Sequence, residues 1–175
     1  MLFRSIPHFA ISIGVRHQGK IIAGLIFDPI RHEYFFAEAG SGAFVNDRRL
    51  RVSGRRHMAE SLFATGIPYL GRGAADDHAQ FNRELAEIMA VSAGVRRFGS
   101  AALDLAYVAA GRYDGFWEHG LSSWDIAAGI LLVREAGGFV SDFASRDRAL
   151  QSGDVVAGNP SIHAELLKHL AKAKK

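Results

Sequence analysis

Apolar and polar residues alternate along the first part of the chain with a period of two, which is the pattern of half-buried β-strands. In the opening segment Ile11, Ile13 and Val15 alternate with Ser12 and Gly14. Pairs of turn-forming residues (Gln-Gly, Asp-Pro and Asn-Asp) separate the successive apolar segments. The pattern therefore predicts an antiparallel meander with strands at Phe9–His17, Lys20–Phe27, Glu33–Ala37, Ala43–Val45 and Arg49–Val52.

The period changes in the second half of the chain, after one more strand at Leu62–Ile67. Apolar residues then recur at helical spacing, and serine, asparagine and glycine mark the helix ends. The predicted helices are Asp76–Val91 (with Asp76 or Asp77 as its cap), Ala101–Ala110, Trp124–Glu135 and Ser161–Lys172. They alternate with strands at Tyr113–Glu118, Phe139–Asp142 and Val155–Ala157.

These elements predict a fold with both α and β layers. We expect a single domain over residues 1–175, with an antiparallel sheet in residues 1–68 and an α/β part in residues 76–175. The glycine-rich stretch Tyr69–Ala75 between them is predicted to be a mobile loop.

Composition removes several classes of protein. The 175 residues include no cysteine, so a thiol nucleophile, a zinc thiolate site and a disulfide framework are excluded. The sequence has no run of 18 apolar residues, which predicts no membrane-spanning helix, and we expect a cytoplasmic protein. The net charge is +3 and no aromatic residues are interleaved with the arginine pairs. We therefore interpret the pairs as a solvated surface rather than a nucleic-acid site.

Common catalytic motifs are also missing. The sequence contains no G-x-S-x-G, no Walker A motif and no G-x-G-x-x-G. His163 and His169 are six residues apart, which places them on different faces of a helix rather than at one metal. Asp28 is followed by Pro29, and the next residues, Ile30, Arg31 and His32, supply no second carboxylate, so we interpret Asp28 as a turn residue.

Two carboxylates stand where a predicted strand leads into a helix. Glu118 ends one strand and Asp125 begins the next helix, which places both acids at one rim of a sheet. Asp125 alone could simply complement the helix dipole, and Glu118 could be a solvated strand end. Gly99 and Ser100 mark another helix start, where the backbone amides could contact an anion or Ser100 could be an ordinary cap.

Longer stretches of the sequence resemble the inositol monophosphatase family, in particular its bacterial extragenic-suppressor branch. The most specific stretch is FGSAALDLAYVAAGRYDGFWEHGLSSWDIAAGILLVREAGG, whose WDIAAG resembles the family's W-D-x-A-A/G-G box. Three further stretches match in order: IPHFAISIGV, FDPIRHEYFFAEAGSGAFVNDRRLRVS and VVAGNP.

The resemblance implies a layered α/β/α/β/α fold, Mg²⁺-dependent hydrolysis of a small phosphorylated polyol such as inositol-1-phosphate, and a homodimer. It places Asp125 on the family's metal-binding aspartate and Glu118 on the carboxylate that binds a substrate hydroxyl. Gly99, Ser100 and Ala101 fall on the segment that contacts the inositol ring.

The family's other metal motifs, a G-E-E box and D-P-x-D-G-T, do not occur in the sequence. In the family they precede the segment with which this chain begins, so the chain resembles a family member without its N-terminal third. We therefore expect it to be inactive by itself and to expose apolar sheet that a lost helix layer would cover. The alternative is a non-catalytic module that binds polyol phosphates or another protein.

Overall fold

The computed structural model describes residues 6–68 and 77–174. The first half of this range forms a five-stranded sheet, sheet A, in which each strand pairs with the next in sequence. All four pairings are antiparallel, as the meander prediction requires. Its strands are β1 (Ile11–His17), β2 (Lys20–Asp28), β3 (Glu33–Glu38), β4 (Gly42–Val45) and β5 (Arg48–Arg49).

The turns of sheet A have the predicted chemistry. Asn46 and Asp47, with φ of 43° and 66°, connect β4 to β5 in the left-handed conformation that suits a tight hairpin. Asp28 is a turn residue, as predicted: its Oδ1 accepts hydrogen bonds from the backbone amides of Ile30 (2.9 Å) and Arg31 (3.0 Å). The last strand is shorter than predicted, since it ends at Arg49.

A second five-stranded sheet, sheet B, has the strand order β7-β6-β8-β10-β9. Strand β6 (Leu62–Thr65) pairs in parallel with β7 (Gly94–Arg96) and β8 (Gly115–Glu118). Strand β10 (Val155–Gly158) is antiparallel to both β8 and β9 (Phe139–Ser141). Strand β6 therefore belongs to the second sheet, although it lies within residues 1–68.

The helices follow the predicted boundaries closely. They are α1 (Asp77–Met89), α2 (Ala101–Ala109), α3 (Ser123–Glu135), the short α4 (Ala149–Ser152) and α5 (Pro160–Lys172). Asn159 caps α5 as predicted, because its side chain accepts a hydrogen bond from the Ile162 amide at 2.9 Å. Asp77 is the first residue of α1 in the structure; Asp76 and the predicted mobile loop lie outside the described residues.

The described elements stack in the order sheet A, helices α2 and α3, sheet B, and helices α1 and α5. One core cluster joins sheet A to sheet B through α2 and α3, with Phe35, Leu105 and Phe116 fully buried. A second cluster lies on the other face of sheet B, where Trp117 and Leu166 are fully buried. In β8, Phe116 packs into the first cluster and Trp117 into the second. This central strand is therefore apolar on both faces.

Helix α3 lies directly on a glycine pair of sheet A. Gly14 of β1 is the register partner of Gly24 of β2. A Cβ at Gly24 would lie 2.8 Å from the Cα of Ala128, and one at Gly14 would lie 2.7 Å from the Cβ of Ala127. Only residues without a side chain allow the helix to approach this closely. Because α3 begins two residues before Asp125, this contact positions that carboxylate.

The opposite face of sheet A is exposed in the described part of the chain. It carries large apolar side chains that are about half accessible: Ile13 (50%), Val15 (46%), Tyr34 (52%) and Phe36 (42%). Among the described residues, no helix has both the length and the apolarity needed to cross a bilayer.

Candidate functional site

A cavity of about 960 Å³ opens where the two sheets meet the N-terminal ends of α2 and α3. Every site residue predicted from the sequence lines it, which brings together groups that are up to 26 positions apart in the chain. The predicted residues in its wall are Gly99, Ser100, Ala101, Glu118 and Asp125.

Asp125 lies in the first turn of α3 and is half-buried. Its Oδ2 accepts a hydrogen bond from the backbone amide of Ser122, the N-cap residue, at 3.2 Å. The carboxylate therefore completes the helix N-terminus and also faces the cavity. The two interpretations of the sequence, helix capping and ligand binding, are compatible at this residue.

Glu118 ends β8 on the same rim and is packed against backbone. A Cβ at Gly66, the residue after β6, would overlap the Glu118 carboxylate, so a larger residue there would displace the carboxylate from its present position. Burial raises the pKa of Glu118 to about 7; the charge of Asp125 adds to the rise, and Arg97 and His119 oppose it. A carboxyl group with this pKa can take or release a proton near neutral pH.

Gly99 to Ala101 form the entry to α2. Gly99 has a φ of +82°, a left-handed conformation that favours glycine, and turns the chain into the helix. Ser100 occupies the N-cap position with extended backbone, but its side chain makes no capping hydrogen bond. The predicted serine cap is therefore wrong in its side-chain contact, and the hydroxyl is not committed to the helix.

The cavity also contains charged residues that sequence reasoning missed. Arg97, His119 and Asp154 line it together with the predicted acids. Arg97 belongs to an arginine pair that we interpreted as surface, and it is indeed exposed. Its position two residues before Gly99 was the available signal. His119 follows Glu118 directly, whereas Asp154 lies just before β10 and is brought in by the pairing of β10 with β8.

The described residues do not form a complete metal site. Among them, no group of three or more His, Cys, Asp or Glu side chains is arranged to hold a metal ion. Asp125 supplies one carboxylate, and Glu118 holds a proton more readily than an ordinary carboxyl group. Magnesium needs several oxygen ligands in near-octahedral geometry, so Asp125 alone does not fit it.

Two helix N-termini that open onto one cavity between two sheets are an arrangement suited to phosphorylated small molecules. The model of the inositol monophosphatase family matches residues 3–175. The chain belongs to the inositol monophosphatase family.

Two curated relatives show the range of names within this match. The chain is 57% identical over 167 residues to inositol-1-monophosphatase of Mesorhizobium japonicum, covering 95% of this chain and 62% of that protein. It is 48% identical over 162 residues to Nus factor SuhB of Pseudomonas aeruginosa, covering 93% of this chain and 59% of the relative. The chain thus spans about three fifths of the length of these curated relatives.

Solved structures agree with the fold described above. The extragenic suppressor protein suhB of Bartonella henselae superposes with a TM-score of 0.92 at 52% identity, covering 97% of this chain and 65% of that one. The inositol monophosphatase of Anabaena superposes with a TM-score of 0.91 at 40% identity, covering 97% and 69%.

Proposed function

We propose that this chain carries the substrate-binding face of a Mg²⁺-dependent phosphomonoesterase acting on phosphorylated polyols, inositol-1-phosphate among them. The observation that carries the proposal is the convergence of Asp125, Glu118 and the Gly99–Ala101 segment on one cavity. Membership of the family and the name of the Mesorhizobium relative supply the reaction class.

In this proposal each part of the wall has its own task. The amide groups at the starts of α2 and α3 favour an anionic phosphate, because they lie at the positive ends of helix dipoles. Glu118 accepts a hydrogen bond from a hydroxyl of the alcohol part. Asp125 is the one metal ligand that the family resemblance assigns to this chain, and Arg97 adds a permanent positive charge to the cavity.

We further propose that residues 1–175 alone bind the ester but turn it over very slowly. A two-metal clamp on the attacking and leaving oxygens is the usual means of such phosphoryl chemistry, and Asp125 cannot form one by itself. Loss of even a single oxyanion donor costs about 3 kcal/mol of transition-state stabilisation, and loss of several metal ligands costs more. In a cell we expect a cytoplasmic homodimer.

The test is phosphate release from inositol-1-phosphate across a Mg²⁺ titration, with binding of the same ester followed by calorimetry. Asp125→Asn is the test variant, and Asp47→Asn, at an exposed hairpin turn outside the cavity, is its matched control. Saturable binding with release at background supports the proposal. If Mg²⁺-dependent phosphate release is seen, is abolished by Asp125→Asn and is retained by Asp47→Asn, the proposal that the chain alone turns over the ester very slowly is refuted. If the chain neither binds the ester nor releases phosphate, the proposal that it carries the substrate-binding face is refuted.

A second candidate is a module that acts through protein contacts. The exposed apolar face of sheet A favours it, because monomeric proteins rarely leave such a patch uncovered. Sedimentation of the chain at rising concentration distinguishes a self-association that buries this face from a monomer. The arginine pairs give less support to a nucleic-acid role, which would require binding that falls steeply with salt.

A further inference from the structure

His119 is held between two carboxylates at the wall of the cavity. Its Nε2 lies 2.9 Å and 3.2 Å from the two carboxylate oxygens of Glu84. Its Nδ1 lies 3.4 Å from Oδ1 of Asp154, an atom that also accepts a hydrogen bond from the Gly120 amide at 3.2 Å. Both ring nitrogens therefore face acids, which is the arrangement that stabilises an imidazolium ion.

The contact joins three separate parts of the fold. Glu84 belongs to helix α1 and its side chain is 0% exposed, whereas His119 follows β8 and Asp154 precedes β10. A carboxylate buried to this degree requires a partner that offsets the loss of water. In Glu84 the partners are the His119 ring and the side-chain amide of Gln80, whose Nε2 donates to Oε1 at 2.7 Å. The ion pair consequently fixes α1 against the end of β8.

The acidic groups around the ring favour its protonated form. Glu84, Asp154 and Glu118 face it from α1, the segment before β10 and the end of β8. The ring stacks on Phe143 at 3.8 Å between centroids, and Lys174 lies 5.7 Å from the Phe143 centroid on that side. Burial lowers the pKa of His119, but the hydrogen bonds and charges of Asp154 and Glu84 outweigh it and raise the pKa to about 9.

We propose that Glu84, His119 and Asp154 form a charged clamp that holds helix α1 as a fixed wall of the cavity, and that this wall limits the size of the alcohol part of the phosphate ester. The size limit rests on the proposed function. Helix α1 contributes Asp77 and Gln80 to the cavity lining. Gln80 is itself held, because Glu84 accepts from its amide nitrogen and Arg83 donates to its Oε1 at 2.8 Å. His119 and Glu84 are thus positioning residues that act through α1.

Helix α1 offers a matched control for the clamp. One turn further on, Glu87 forms the same type of contact with His169 of α5, at 2.7 Å. Neither Glu87 nor His169 is among the described residues that line the cavity. Glu84→Gln and Glu87→Gln therefore remove the same charge from the same helix, but Glu87 is 31% exposed and ties α1 to α5, whereas Glu84 is 0% exposed and ties α1 to the cavity wall at His119. Asp154→Asn, at a side chain that is 38% exposed, is a second clamp variant that leaves the core unchanged.

The first readout is independent of any ester. NMR titration of the histidine rings should show His119 titrating near pH 9 in the wild-type chain. Glu84→Gln and Asp154→Asn should each lower this value and shift the backbone amide signals of Asp77 and Gln80, and Glu87→Gln should do neither. Titration of His119 near its ordinary value, or equal effects of Glu84→Gln and Glu87→Gln, would overturn the clamp.

The second readout is selectivity in binding. Affinities are measured for glycerol-2-phosphate, inositol-1-phosphate and the bulkier 2′-AMP. The clamp predicts that Glu84→Gln reduces the preference for the smaller esters by about tenfold, the scale of discrimination that a pocket wall commonly provides. An unchanged preference would overturn the size limit even where stability falls. If the wild-type chain binds none of the three esters, the proposed function fails, and the amide shifts of Asp77 and Gln80 alone decide whether the clamp holds α1.

Discussion

Replacing Gly24 by alanine should destabilise the protein, although glycine-to-alanine changes in strands usually help. The usual gain is about 0.4–1 kcal/mol, because alanine restricts the unfolded chain. Against it, the new Cβ would lie 2.8 Å from the Cα and 3.0 Å from the carbonyl oxygen of Ala128. Both are backbone atoms of α3, so no side chain can rotate away. Overpacking of this kind costs about 1–3 kcal/mol, and the clash therefore outweighs the gain.

Thermal unfolding followed by circular dichroism measures this effect. For a chain of this size, 1 kcal/mol corresponds to about 2–4 °C in Tm. A net cost of about 1–2 kcal/mol should therefore lower the Tm by about 2–8 °C. The matched control is Gly54→Ala, because a Cβ at Gly54 meets nothing within 4 Å and its φ is not positive. The control should leave the Tm unchanged or slightly raised; equal Tm values for the two variants would refute the close seating of α3 on sheet A.

Three further predictions concern buried polar groups. Asp104 is 1% exposed, and neither of its carboxylate oxygens has a hydrogen-bond partner among the described residues. Burial raises the pKa of Asp104 well above the ordinary value, and the charge of Glu118 adds to the rise. Such an acid weakens folding as the pH rises above its unfolded pKa, so Asp104→Asn should stabilise the protein more at pH 8 than at pH 4 in thermal melts. Asn159→Ala removes the α5 cap and the hydrogen bonds from Nδ2 to the carbonyls of Ser53 (2.8 Å) and Arg55 (2.7 Å), and denaturant unfolding should show a loss of about 2 kcal/mol. The Glu118 carboxyl carbon should titrate near pH 7 by NMR, and at lower pH in Asp125→Asn; an unchanged midpoint in that variant would contradict the coupling of the two acids.

Periodicity and turn chemistry predicted most of the fold. The meander and the main helices followed from alternation and caps, because those signals are local in sequence. Strand β7 and the short helix α4 were not predicted. The pairing of β6 with β7 and β8 was not predicted either, because parallel pairing depends on contacts between distant segments.

The candidate site shows the same division. Asp125 and Glu118 were predicted at one rim because both stand at a strand-to-helix junction, and both line the cavity. The roles assigned to them remain predictions from resemblance. Glu84 and Asp154 carried no local signal, since each reads as an ordinary acid in a helix or before a strand. Their importance comes from His119, which only the folded chain brings between them.

Within the described part of the chain, strand β1 is an edge of sheet A, and this has a consequence for handling the protein. Another extended chain can pair with the outward backbone groups of this edge strand. The exposed side chains of Ile11 (54% exposed) and Ile13 (50% exposed) add apolar contacts for such a chain. The register irregularity between Val15 and Arg16 interrupts the edge strand at one end. Concentrated stocks of the unaltered chain should slowly form cross-β aggregates, and dilute stocks should form fewer. The variant Ile13→Lys should also resist this aggregation, because it places a charge on the edge strand.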